Sequence, residues 1–222
     1  PSAEDIAAGS VTLTLSASHQ SCQAAVSSKT LTITASPNTN IEGEVVVCAM
    51  TNGVIYSTQL NNGNTYEWTV SGGTIESGAG TNQITVNWNS DASGLVSVAE
   101  NTSHNCLVTQ TKSVTINPIP ATSVSGAVTG CPGDMVTYST AANSGNSYNW
   151  EIAGGTITSG QGSNEVQVTW NTAGNNSISV TETVLASLCN VTENINVTIN
   201  GNAEVPAKPQ GPADVDLNTT GN

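Results

Sequence analysis

The residues in this 222-residue sequence whose types could do chemistry are few: five cysteines, two histidines and sixteen acids. His19 and His104 occupy matching contexts, "SHQSC" and "SHNC", each just ahead of a cysteine. The corresponding stretch later in the chain, "ASLC", carries Ser187 in place of the histidine. A group that one copy of the pattern omits is a loop residue before it is a catalyst. With no third histidine, a Ser-His-Asp or Cys-His arrangement would have to be assembled across copies. The cysteines and histidines lack zinc-ligand spacing, and neither a phosphate-cradling loop with its lysine nor a calcium-loop signature is present. Paired acids for glycoside hydrolysis are not maintained either, since Glu67 aligns with Asn149 in the other copy. No catalytic, cofactor or metal residue is assigned, and the expected activity is non-enzymatic.

Two acids stand apart. Glu100 and Glu182 are 82 residues apart (182 − 100) and end equivalent strands in the inward-facing register. A carboxylate at the rim of a sandwich is expected to close that rim by accepting hydrogen bonds from loop amides. The competing reading is a calcium ligand between repeats, for which the nearby sequence offers too few oxygen donors.

The elements that must position these residues are strands. Hydrophobic residues make up 36% of the chain and charged residues 9%, with no Phe; Thr, Ser, Asn, Gly and Val dominate. That mixture favours strands and turns over helices. No stretch has the length or hydropathy to span a membrane. Three lysines and no arginine against sixteen acids give a formal net charge of −13. Phosphate recognition needs clustered cations, so nucleic acid is excluded, and an anionic membrane surface is disfavoured for the same reason.

The chain writes one unit twice. "YEWTVSGGTIESGAGTNQITVNWN" (66–89) returns as "YNWEIAGGTITSGQGSNEVQVTWN" (148–171), and the match extends from Tyr56/Tyr138 to Val98/Val180 at an offset of 82. The cysteines recur at 83 (131 − 48 and 189 − 106). Two complete repeats are expected, at 38–120 and 121–203. Residues 1–37 resemble the last two strands of a preceding repeat, and 204–222 a linker with the start of a following one. Period-2 alternation in the first repeat marks strands at 42–47, 54–58, 66–71, 74–76, 83–89, 95–100 and 107–117. Seven short strands in about 80 residues fit a Greek-key sandwich. Tyr66, Trp68 and Val70 share a face, as do Ile84, Val86 and Trp88, which directs Trp68, Trp88, Trp150 and Trp170 into the cores with Tyr56 and Tyr138 beside them. The alternative is a tryptophan exposed for stacking on sugars. Pro118 and Pro120 in "NPIPATS" predict a short, stiff connector and repeats lying end to end.

The combined pattern of an early Cys, "YxWxVxGGTIxSGxGTNxIxVxWN", "VSVxE" and a late Cys resembles the PKD-like, immunoglobulin-like repeats of Bacteroidota surface proteins. The "WDFGDG" motif of the polycystic-kidney family proper is replaced by "WTVSGG" and "WEIAGG". The resemblance implies an all-β tandem of Ig-like sandwiches within a secreted cell-surface adhesin, including the gliding-motility type exported by the type IX secretion system. Its implied partners are neighbouring repeats, outer-membrane secretion or motility machinery, and surface glycans or proteins. A binding module for carbohydrate or protein, and a spacer beside a polysaccharide-degrading enzyme, are the alternatives.

The cysteines leave two pairings open. Parity suggests Cys48–Cys106 and Cys131–Cys189, each 58 apart, with Cys22 bonded upstream. In a sandwich of this topology, however, the two members of each pair fall at opposite ends. A strand of five or six residues rises roughly 17–20 Å, and a disulfide needs Cα atoms about 4.4–6.8 Å apart. The second pairing joins repeats, Cys48 to Cys189, and leaves Cys106 to an upstream repeat. Free thiols are the third outcome.

Overall fold

The computed structural model describes residues 2–34, 36–37, 39–201 and 206–208. The expected start of a following repeat at 204–222 therefore lies outside the described residues, apart from 206–208. The chain divides into two compact units: Pro1–Ile119 with Ser187–Cys189, and Pro120–Ala186 with Asn190–Asn222.

The first unit opens with a helix, α1 (Ala3–Ala8), in a region where the sequence pattern gives only strands. A capping box explains it: Asp5 N–H donates to Ser2 Oγ, and Ser2 N–H donates to Asp5 Oδ2. Gly9 closes the helix in the left-handed conformation. The helix buries no residue, so no 3.6-residue apolar period announces it. The hairpin β1 (Ser10–His19) and β2 (Cys22–Thr32) follows, paired antiparallel with Val11 opposite Leu31.

The first sandwich comprises β3 (Val46–Cys48), β4 (Val54–Ser57), β5 (Thr65–Ser71), β6 (Gly73–Ser77), β7 (Gln83–Trp88), β8 (Ser93–Asn101) and β9 (Leu107–Asn117). One sheet has the order β3-β9-β8-β5 and the other β4-β7-β6. The strand expected at 42–47 is divided between them. Glu42 bridges Ser57 of β4, whereas β3 runs parallel to β9 with Cys48 opposite Asn117. The chain changes sheets at Gly43, whose φ is +138° and whose missing side chain leaves room for the ring of Tyr56.

The second unit repeats this plan with β10 (Thr129–Gly130), β11 (Met135–Ser139), β12 (Asn146–Ala153), β13 (Gly155–Ser159), β14 (Glu165–Trp170), β15 (Gly174–Val184) and β16 (Asn190–Ile199). Its sheets are β10-β16-β15-β12 and β11-β14-β13. Each unit has its own core. In the first, Val96 and Val98 of β8 pack with Ile84, Val86, Val114 and Ile116; in the second, Ile178 and Val180 of β15 pack with Val166, Val168, Val197 and Ile199. Burying each such side chain stabilises the fold by about 1.5–3 kcal/mol. Among the described residues the chain is all-β apart from one short helix, a tandem of Ig-like sandwiches.

Candidate functional site

Alternation along β5 and β7 turns Trp68 and Trp88 inward, and β12 and β14 do the same for Trp150 and Trp170. Their exposures are 5%, 2%, 2% and 0%, and Tyr56 and Tyr138 are at 0%. No tryptophan offers a ring face to a sugar. Trp68 Nε1 donates to the Thr81 carbonyl and Trp150 Nε1 to the Ser163 carbonyl, both at 2.8 Å. The edge-to-face pairs Tyr56–Trp88 and Tyr138–Trp170 have centroids 5.9 and 6.1 Å apart. Burial pushes the Tyr56 phenol up to about 12.

The two glutamates are the most developed polar feature. Glu100 ends β8 with no exposed surface, and its carboxylate accepts from Thr39 Oγ1 at 2.8 Å, Asn61 Nδ2 at 2.7 Å and Asn64 Nδ2 at 2.6 Å. Glu182 lies near the end of β15, equally buried, and accepts from Thr122 Oγ1 at 2.5 Å, Asn143 Nδ2 at 2.8 Å and Asn146 Nδ2 at 2.6 Å. Tyr66 lies opposite Glu100 in the sheet register and Tyr148 opposite Glu182. Each tyrosine hydroxyl also accepts from the N–H of the first loop asparagine, Asn61 or Asn143. Burial alone would raise both carboxyls. The donated hydrogen bonds outweigh it and hold Glu100 and Glu182 below the ordinary value of 4.5. In each repeat this carboxylate ties the segment ahead of the first strand to the loop between the second and third.

A calcium ion takes six to eight oxygen ligands, whereas each carboxylate here faces amide and hydroxyl donors. Among the described residues no group of three or more His, Cys, Asp or Glu could hold a metal. His104 is exposed, with Nδ1 3.3 Å from Ser103 Oγ.

The donors to Glu100 and Glu182 escape a reading that follows acids and aromatics alone. A signal for them exists: "NNGNTY" and "NSGNSY" keep Asn61/Asn143, Asn64/Asn146 and Tyr66/Tyr148 at one offset, in a loop otherwise free to vary.

Of the open cysteine pairings, the structure holds Cys48–Cys189, with Cα atoms 5.6 Å apart and a sequence separation of 141. The Cys48–Cys106 and Cys131–Cys189 pairings are not formed, and Cys22, Cys106 and Cys131 are free. In the chain-entropy account a loop of this length contributes about 5 kcal/mol. A structural disulfide belongs to an oxidising compartment. No helix among the described residues is long and apolar enough to cross a membrane.

Two Greek-key sandwiches with matching cores and matching carboxylate cradles define a tandem of immunoglobulin-like domains. The chain belongs to the PKD-like domain family, whose sequence model matches residues 34–116 and 117–199. No curated protein matches it. Among solved structures, extracellular cadherin domains 3–6 of protocadherin gamma B2 are 12% identical with a TM-score of 0.32, covering 89% of this chain and 58% of that one. The human desmocollin-1 ectodomain is 12% identical at a TM-score of 0.29, with 92% and 46% covered. The fibronectin(III)-like modules of Clostridium thermocellum CbhA are 10% identical at 0.31, with 73% and 95% covered. The chain thus spans about half the length of the first two.

Proposed function

We propose that this chain is a load-bearing repeat segment of a large secreted cell-surface adhesin, a stiff extended rod that presents a binding region away from the cell. The observation that carries the reading is the disulfide joining cysteines of two successive PKD-like repeats. A covalent bond between repeats resists bending and pulling in a way that a proline-containing connector alone does not. Two further features agree with it. Trp68, Trp88, Trp150 and Trp170 serve the cores rather than a ligand, and the net charge of −13 opposes self-association of long chains. Secretion to the outer surface, and service in adhesion or gliding, complete the proposal.

The test is an in-frame deletion of both repeats from the parent gene in the cell that makes it. Attachment under flow is expected to fall while the shortened protein still reaches the surface. Unchanged attachment, or a surface protein that has lost an enzymatic activity instead, would overturn the reading in favour of a passive spacer.

A further inference from the structure

Four of the five cysteines fall into two structural classes, and the Cys48–Cys189 bond joins one class to the other. Cys48 ends β3, the short strand parallel to the last strand of its sandwich. Cys131 directly follows β10, which runs parallel to β16 in the same manner. Two residues beyond each of these cysteines the backbone is left-handed, at Met50 (φ 62°) and Gly133 (φ 94°), which correspond at the cysteine offset of 83 (133 − 50). The turn is anchored alike in the two repeats. Trp88 N–H donates to the Thr51 carbonyl, and Trp170 N–H to the Asp134 carbonyl. Cys131 is therefore presented on the turn that presents the bonded Cys48, yet it is exposed and unbonded.

The second class sits in the turn between the last two strands. Cys189 is preceded by Leu188 at φ 62°, and Cys106 by Asn105 at φ 60°. A leucine in the left-handed region is uncommon, so its recurrence at the position of Asn105 marks a turn held in one shape. In both repeats this shape places a thiol directly after the left-handed residue. At Cys189 the thiol is bonded; at Cys106 it is free.

We infer that Cys131 and Cys106 are the unused halves of the same inter-repeat staple. The end of the second repeat that carries Cys131 is a covalent docking site for another PKD-like repeat, through a cysteine in that repeat's last turn. Cys106 is the matching acceptor for a strand-end cysteine of another repeat. The pairing follows one rule: strand-end thiol to last-turn thiol of a different repeat, never two thiols of one class. The inference rests on the tandem-repeat character of the chain and does not depend on what the adhesin attaches to.

The chemistry is a thiol–disulfide exchange with a disulfide oxidant, here oxidised glutathione. The Cys131 thiolate attacks one glutathione sulfur and releases reduced glutathione, leaving a mixed disulfide. The last-turn thiolate then attacks the Cys131 sulfur and releases the second glutathione. Two thiol protons and two electrons pass to the oxidant, and one S–S bond forms for the one consumed.

The test uses two variants of the full chain in a glutathione redox buffer. C22S/C131S retains only the last-turn free thiol, and C22S/C106S retains only the strand-end one; Cys48 and Cys189 are unchanged in both. A disulfide-linked dimer is expected in the mixture, mapped by unreduced peptides to Cys131–Cys106, and is lost when either variant is oxidised alone. A Cys131–Cys131 dimer of C22S/C106S as abundant as the mixed one would overturn the rule. A mixture that yields only glutathionylated monomers would overturn the docking site. Either failure leaves the adhesion assay of the parent cell unaffected, so the two proposals fall separately.

Discussion

The first and second repeats use the same side chains for the same ends, yet they differ at their cysteines. Glu100 and Glu182 sit in cradles with the same donors at nearly the same distances. The aromatic pairs match as well: Trp170 Nε1 donates to Tyr138 Oη at 3.1 Å, and Trp88 meets the Tyr56 hydroxyl in the same edge-to-face arrangement. The cysteines differ. The strand-end thiol is bonded in the first repeat and free in the second, and the last-turn thiol the reverse. What a repeat completes by itself is written identically twice. What needs a neighbour varies with the neighbour.

The largest expected effect breaks one repeat and spares the other. Trp68→Ala removes a ring from the first core and Trp150→Ala from the second, each at a cost of about 3–5 kcal/mol. Because the core clusters are separate, calorimetry should show the transition of the altered repeat move down while the other stays. Lost ligand binding with an unchanged melting profile would contradict the core assignment.

The cradles come next. Glu100→Gln turns an amide group toward donors that had faced a carboxylate, and Glu182→Gln does the same; each should cost about 2–3 kcal/mol in chemical denaturation. Equal losses would sharpen the equivalence of the repeats, and a loss in one alone would break it. The same cradles set an acid response. Both folded-state carboxyls lie below 4.5. Their contribution is therefore complete above the unfolded value and is lost as pH falls through the lower folded one. Melting temperature should drop on acidification below pH 4.5 in the parent chain, and less steeply in the doubly substituted one.

The smallest effect probes the aromatic pairs. Trp88→Phe and Trp170→Phe each remove an indole N–H that meets a tyrosine hydroxyl, so the two should cost about the same, about 1 kcal/mol each.

Much of this was legible in the sequence because a strand fixes the direction of every second side chain. Alternation through Tyr66, Trp68 and Val70 needs no tertiary information, and repetition at 82 confirms the register. Other features depend on contacts between distant segments. Thr39 meets Glu100 across 61 residues of chain, and nothing in local periodicity links them. The division of the strand at 42–47 between two sheets follows from Gly43 and the ring of Tyr56, again a tertiary event. The helix Ala3–Ala8 was announced only by its cap, Ser2 with Asp5, since it buries nothing.

Successive repeats are joined covalently through Cys48 and Cys189. Proteolysis without reduction, followed by mass spectrometry of the linked peptides, tests this directly. A Cys48–Cys189 crosslink within one chain is the predicted result, with Cys106 and Cys131 recovered as thiols or joined between chains. A Cys48–Cys106 crosslink would contradict both the staple and the placement of those residues in the fold.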